Sequence, residues 1–179
     1  MEKGTEQKAA TQPEPWLRGT HSELDAIVRQ FVHSMEQVEE DVDRWCAELS
    51  DAEINARPMD LPPVAFHLRH MVRSLDRLLS YAEGTQLDAT QLAALKSEMD
   101  SGATTAEVFH ELRSGLAESK QRAQAFTPEQ YNEDRGIGRK MLPTSVGSIL
   151  VHCAEHTQRH LGQAITTAKV LVALRRTMQ

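Results

Sequence analysis

The stretch SVGSILVHCAEHTQRHLGQAITTAKVLVALR, residues 145–175, is the segment on which the prediction of the fold rests. Its apolar residues return every three or four positions, which is the period of a helix face that packs against neighbours. This face consists of Leu150, Ala154, Leu161, Ala164, Ile165, Ala168 and Val172. The pattern predicts a long helix that starts near Thr144 or Ser145 and ends at about Arg175.

Three histidines lie four residues apart on this helix, at His152, His156 and His160. Each residue advances about 100° around a helix axis, so His160 falls just inside one edge of the apolar face. His156 lies about 40° further out, and His152 about 40° beyond His156. We therefore predict that His156 and His160 point toward the rim of the protein interior, and that His152 points toward solvent.

A capping box predicts the start of the first helix. Thr20 and Glu23 have the spacing at which each side chain satisfies a backbone N–H at a helix start. An apolar stripe with helical spacing follows and fades at Leu49. The stripe consists of Ile27, Phe31, Met35, Val38, Val42 and Trp45. We expect one long helix over residues 20–49.

Two more long helices are predicted between these. The second helix begins after DLPP, residues 60–63, because proline suits a helix start, and it stops at Gly84. The third helix starts at Thr104, which forms another capping box with Glu107, and runs to about Phe126.

The connections between these helices are short. The segment ATQLAALKSEM, residues 89–99, predicts a short helix with Asp88 as its cap. The segment NEDRGIGRKMLPTS, residues 132–145, contains two glycines and a proline and predicts a loop. No stretch alternates convincingly with a period of two, so strands are not expected outside the loop around Ile137. Four long helices with short extra helices in their connections predict an all-α four-helix bundle.

Composition and charge narrow the class of protein. The 179 residues suffice for one domain, predicted over residues 20–179 behind a flexible leader at residues 1–19. The net charge of −6 argues against nucleic acid as a partner. No apolar run approaches the roughly 18 residues of a membrane span, so no membrane partner is expected. The two cysteines, Cys46 and Cys153, make no disulfide framework, so a cytoplasmic location is expected.

The paired histidines of the last helix suggest a metal centre. Residues four apart stack on one side of a helix, so His156 and His160 can reach one ion. A divalent metal then needs another protein ligand from a second helix, where His67 and His70 are available. On that helix, His67 lies nearer than His70 to the predicted inward face. The alternative is that these histidines are exposed or hydrogen-bonded and bind no metal.

The segment HTQRHLGQ, residues 156–163, resembles the H-x-x-x-H-x-G-Q motif of the DinB/YfiT-like superfamily. The matching positions are His156, His160, Gly162 and Gln163. Members of this superfamily are four-helix bundles with a three-histidine metal site. In them, two ligands come from this motif and one from the second helix. The resemblance therefore implies that His156 and His160 are metal ligands.

The segment PPVAFHLRHMVRSLDRLL, residues 62–79, resembles the second helix of the same superfamily. There an aliphatic residue follows the ligand histidine, which carries the ligand role to His70, followed by Met71. We keep His67 in reserve because of its position nearer the inward face. The whole resemblance covers roughly residues 20–175.

The resemblance implies a metal-dependent enzyme. Three histidines leave coordination positions open, as in catalytic sites. The expected cofactor is a divalent transition metal, with zinc or nickel favoured and iron or manganese as alternatives. Characterised members include transferases and isomerases that depend on small thiols such as bacillithiol or mycothiol, while others are described as hydrolases. Either reaction on a small-molecule substrate stays open, and a homodimer is expected. The alternative is a non-catalytic helical module for dimerisation or metal binding.

The sequence assigns no catalytic acid or base. Glu155 is expected to be a solvated charge, and Cys153 a buried structural residue. Gln163 is placed either to hydrogen-bond a ligand or to pack between helices. Arg135 and Arg139, in the glycine-containing loop, are candidates for binding an anionic substrate.

Overall fold

The computed structural model describes residues 12–177, in which four long helices form an all-α bundle. The long helices are α1 (Ala26–Cys46), α3 (Val64–Ala82), α5 (Thr105–Ala123) and α6 (Val146–Thr177). Two short helices, α2 (Asp51–Ile54) and α4 (Ala89–Lys96), lie in the connections. Single 3₁₀ turns occur at Pro15–Leu17, Pro58–Asp60 and Pro128–Gln130. The predicted fold class is confirmed.

Helix α6 packs against both α1 and α3, and α5 closes the bundle by packing against the same two helices. The core between them is built from fully buried apolar side chains. The largest include Phe31, Met35, Leu68, Met71, Leu75, Leu79, Leu112, Leu116 and Leu150. The neighbouring helices α3 and α6 are the two that carry the candidate metal ligands.

The predicted start of the first helix at Thr20 is wrong. The helix begins at Ala26, because the Asp25 carboxylate accepts the backbone N–H groups of Ile27 and Val28 at 2.9 and 3.3 Å. Before it, His21 has a φ of +56°, which no right-handed helix allows. The helix also ends at Cys46 rather than Leu49.

The other helix starts agree with their sequence signals. Pro63 directly precedes α3, and Gly84 follows its end with a φ of +82°, the left-handed conformation that terminates helices. Thr104 and Glu107 form the expected capping box of α5. Asp88 caps α4, which ends at Lys96, earlier than predicted. Helix α5 likewise ends at Ala123 instead of Phe126.

The segment predicted as a loop forms a small hairpin. Strands β1 (Asp134–Ile137) and β2 (Leu142–Ser145) pair antiparallel, with Asp134 opposite Ser145 and Ile137 opposite Leu142. None of their residues is fully buried. Backbone hydrogen bonds rather than apolar burial hold the hairpin, so it leaves no alternating pattern in the sequence.

Residues 1–11 of the predicted leader lie outside the described residues. Just after them, Pro15 is buried, and Arg18 forms an ion pair with Glu40 of α1. Cys46 and Cys153 are free thiols in the core. Between residues 12 and 177, no helix combines the length and the apolar character needed to cross a membrane.

Candidate metal centre

Two helices bring four histidines together. His67 and His70 lie on α3, and His156 and His160 lie one turn apart on α6. The ring centres of His156 and His160 are 4.6 Å apart, and the ring of His70 lies 4.3 Å from that of His160. His156 and His160 therefore meet α3 at the partly buried rim of the interior that their helical angles predicted.

Three of these rings form a group of the size that one metal ion requires. His70, His156 and His160 each offer one nitrogen, and the three nitrogens lie within 4.8 Å of one another. The Nε2 atoms of His70 and His156 are 3.4 Å apart. Tetrahedral zinc with bonds of about 2.0–2.1 Å separates two ligand nitrogens by about 3.3 Å. The geometry fits a divalent metal, while the ligand role of the three residues stays a prediction.

The remaining nitrogen of each ring has a partner of its own. His70 Nδ1 lies 2.7 Å from a carboxylate oxygen of Glu98, and His156 Nδ1 lies 3.5 Å from the Ser74 hydroxyl. His160 Nδ1 lies 3.1 Å from Nδ1 of His67. Such outer partners fix the orientation and the tautomer of a ligand histidine. Each Nδ1 is thereby engaged, which leaves the three Nε2 atoms for an ion.

Glu98 is the site residue that the sequence did not reveal. It lies just beyond α4 and is only 5 % exposed, and its second oxygen accepts from Arg77 at 2.7 Å. Burial alone would raise the pKa of this carboxyl, but the hydrogen bonds from His70 and Arg77 outweigh burial and lower it. Glu98 is therefore an anion behind His70. In the sequence it stands between the exposed charges Lys96 and Asp100, just after the short connecting helix, so only the fold identifies it.

His67, the alternative to His70 as a ligand, lies beside the group of three histidines and not within it. It is 2 % exposed, deeper than His70, as its helical angle predicted. Its polar contact is with His160, and it is not one of the three convergent histidines. Burial, together with the neighbouring His160 and His70, lowers its pKa to about 4. His67 is thus a neutral hydrogen-bond partner at pH 7.

His156 and His160 are also neutral near pH 7. Burial, followed by the neighbouring His160 and His70, lowers the pKa of His156 to about 4. Burial, then His70 and Arg159, lowers that of His160 to about 4. Neutral imidazole is the form that binds metal, so these rings need lose no proton to receive an ion.

A cleft of about 380 Å³ opens beside the histidines, between the start of α3 and the middle of α6. Its walls are mostly apolar, and Arg159 is its one charged side chain among the described residues, apart from the titratable histidines. The lining residues are Leu61, Pro62, Phe66, His67, Arg159, His160, Gly162, Gln163, Thr166 and Thr167. No aspartate or glutamate is among them.

Comparison with known families identifies the chain. The family model of the DinB superfamily matches residues 34–164, which is more than half of the chain and includes all three convergent histidines. The chain belongs to the DinB superfamily. Members of this superfamily typically bind metal, in agreement with the group of three histidines. Searches among curated proteins and among solved structures gave no match.

Three other residues in or near the DinB motif lie outside the three-histidine group: His152, Cys153 and Gln163. His152 is exposed and faces Glu155, which also pairs with Arg159. Gln163 is exposed on the wall of the cleft. Cys153 is buried, and burial raises its pKa to about 12, which keeps it an unreactive thiol.

The arginines of the hairpin are likewise away from this DinB-type site. Arg135 donates to the carbonyl of Ala82 at 2.7 Å and pairs with Glu133, so it braces the hairpin against α3. Arg139 is exposed at the tip of the hairpin. Neither residue lines the cleft beside the histidines.

Proposed function

We propose that this chain is a metal-dependent enzyme in which His70, His156 and His160 hold a divalent transition metal. Zinc or nickel is the favoured ion, with iron or manganese as alternatives. The proposal rests on one observation. Three neutral or carboxylate-paired imidazoles from two helices converge at the distance of a coordination sphere, with the second nitrogen of each ring engaged elsewhere.

The chain's own residues would prepare the site in three ways. Glu98 and Ser74 orient two of the rings, and His67 orients the third. Three protein ligands leave further coordination positions free for a substrate. A metal held there supplies Lewis acidity, which makes a water molecule or a thiol more nucleophilic near neutral pH.

The lining of the cleft favours a thiol over water as the nucleophile. Water attack commonly uses a carboxylate as general base, and no carboxylate lines the cleft in the described part of the chain. The one carboxylate behind the histidines, Glu98, is held by His70 and Arg77. A thiol loses its proton more easily and needs less help from a base. We therefore propose a thiol-dependent transferase or isomerase first, and a hydrolase of a small molecule second.

The cleft suits a small, largely apolar substrate. Phe66 and Pro62 offer an apolar wall, and Arg159 stands at the polar side. An anionic group on the substrate or on a low-molecular-weight thiol would find its counter-charge at Arg159, in exchange for Glu155. The homodimer and the cytoplasmic location implied earlier stay predictions, and sedimentation of the purified chain tests the first.

The test compares turnover of the metal-loaded chain with and without a low-molecular-weight thiol, on electrophilic small molecules and on esters or amides. We expect thiol-dependent turnover that disappears in the His156→Ala/His160→Ala variant. The variant His152→Ala, on the same helix but exposed, should keep full activity. Thiol-independent hydrolysis would favour the second reaction. If the double variant sustains full biological function in cells, the chain acts as a non-catalytic module instead.

A further inference from the structure

A second group of metal-type side chains lies around the start of α1. His33 and Glu36 are three residues apart on this helix, so they share a face. His21 approaches them from the turn before the helix. One donor atom from each of the three residues lies within 4.8 Å of the other two. Together they place two imidazoles and one carboxylate at a common point.

The backbone holds His21 in an unusual conformation that directs it at this point. Its φ is +56°, in the left-handed region that side-chain-bearing residues rarely adopt. Its carbonyl accepts the N–H of Leu24 at 3.1 Å, which closes the turn. Its Nε2 lies 2.8 Å from a carboxylate oxygen of Glu36, and its ring centre lies 5.5 Å from that of His33. Strained backbone of this kind concentrates at functional sites.

His33 has the surroundings of a metal ligand with an outer partner. It is 4 % exposed, and its Nε2 lies 3.1 Å from the Thr20 hydroxyl. With Nε2 engaged there, Nδ1 remains for an ion. Thr20 is the residue whose spacing from Glu23 predicted a helix cap, and its hydroxyl serves His33 instead. A cleft of about 420 Å³, lined in part by Thr20, Gly19 and His33, reaches the group from solvent.

The nearest carboxylates offer counter-charge for a cation, while Arg29 is a cationic side chain in the wall of the adjoining cleft. Glu36 is the carboxylate of the group, and a Glu23 carboxylate oxygen lies 3.9 Å from Nδ1 of His21. The nearby Arg18 is held by both carboxylate oxygens of Glu40, which neutralises its charge. The ordinary structural alternative is a hydrogen-bonded pair of His21 and Glu36 that holds the turn to the helix and binds no ion.

We propose that His21, His33 and Glu36 form a second site for a divalent transition cation, separate from the site of His70, His156 and His160. Two imidazoles with one carboxylate are a donor set that suits zinc and the neighbouring divalent metals. His21 and His33 both precede residue 34, where the match to the DinB family model begins. The second site is therefore argued from the geometry of this chain and not from the superfamily motif.

The experiment titrates Zn²⁺ into the full, untagged chain and into the His156→Ala/His160→Ala variant, against a competing chelator. We expect two bound ions in the original chain and one in the double variant. When added to the double variant, Glu36→Gln or His21→Ala should each lower the affinity for the remaining Zn²⁺ ion by at least about tenfold. Glu39→Gln is the matched control, since Glu39 lies on the same helix but pairs with Lys120. It should leave the affinity unchanged.

The substituted side chains are chosen so that a loss of binding is not caused by a failure to fold. His33 is buried, whereas His21 and Glu36 are partly exposed, and circular dichroism checks that their variants fold. The proposal is overturned if the folded double variant binds no Zn²⁺, or if Glu36→Gln binds it as tightly as Glu39→Gln does. A third outcome is that the original chain binds only one ion, that Glu36→Gln abolishes this binding, and that the double variant retains it. This outcome would support the second site and contradict the three-histidine site.

Discussion

The two ring nitrogens of His70 have different partners, and Glu98 decides which nitrogen carries the proton. The Glu98 carboxylate is an anion, so it accepts a hydrogen bond from Nδ1–H of His70 at 2.7 Å. The lone pair of Nε2 then faces His156, 3.4 Å away. A carboxylate behind a ligand histidine fixes its tautomer and raises its basicity. The second carboxylate oxygen is engaged by Arg77, which holds Glu98 in this orientation.

Substituting Glu98→Gln should weaken zinc binding by about 10–100-fold, because the amide keeps the shape but loses the charge behind His70. Competition with a chelator measures the affinity. Glu118→Gln, at an exposed position of α5, serves as control and should bind zinc as the original chain does. Equal affinities in the two variants would show that Glu98 does not support the metal.

His67 and His70 should respond differently to the same substitution, although both lie on α3. His70→Ala should abolish binding at the three-histidine site. His67→Ala should still bind that ion, with an affinity lower by about tenfold. His67 contacts His160 but does not itself converge on the ion. Zinc titration of both variants measures the difference. The reverse order of effects would place His67 in the ligand set and remove His70 from it.

At the scale of elements, the starts of α3, α5 and α6 could be predicted, since proline and capping residues act locally. The start of α1 could not, because Thr20 has the spacing of a cap but bonds to His33, thirteen residues away. The sequence leaves strands open only around Ile137, and it does not predict the pairing of β1 with β2, because the hairpin buries little apolar surface. For the site, spacing predicted the direction of His156 and His160. The partners of each ring depend on how α3, α4 and α6 pack, which no local pattern records.

The contact between α3 and α5 depends on the absence of a side chain at Gly115. A Cβ atom there would lie 2.5 Å from Cβ of Val72, an atom fixed to the backbone of α3. Gly115→Ala should therefore force the helices apart and reduce the free energy of unfolding by about 1–3 kcal/mol. Thermal unfolding should show a fall of roughly 2–4 °C for each kcal/mol.

Gly162→Ala is the matched substitution, because no atom lies within 4 Å of an added Cβ at this helical position. It should raise the free energy of unfolding by roughly 0.5–1 kcal/mol, as alanine favours the helix. Opposite shifts in melting temperature are the expected result. Destabilisation by both substitutions to the same extent would contradict the close packing assigned to Gly115.

At the scale of the whole molecule, buried neutral histidines make the stability of the metal-free chain depend on pH. The pKa values of His67, His156 and His160 are lowered to about 4, against about 6.5 in an unfolded chain. Between these values the unfolded chain binds more protons than the folded one. The stabilisation is complete above about pH 6.5 and is lost as the pH falls toward 4. Glu98, whose pKa is lowered from 4.5, adds stability that is lost only below about pH 4.5, at the acid end of this window.

We therefore expect the metal-free chain to melt at a lower temperature at pH 5 than at pH 7. For one buried group such as His67 the loss at pH 5 is about 2 kcal/mol, which corresponds to roughly 4–8 °C. Scanning calorimetry at the two pH values measures it. The His156→Ala/His160→Ala variant should show a smaller decrease. An unchanged or higher melting temperature at pH 5 would contradict the assignment of these rings as buried and neutral.

The metal content of the untagged chain tests the three-histidine site most directly. Element analysis should compare the purified chain, after incubation with Zn²⁺ or Ni²⁺ and removal of excess metal, with the His70→Ala/His156→Ala/His160→Ala variant. We predict that the variant holds about one equivalent less than the original chain, with its helical content unchanged. Equal metal content in the two proteins, or less than about a tenth of an equivalent in the original chain, would contradict the account.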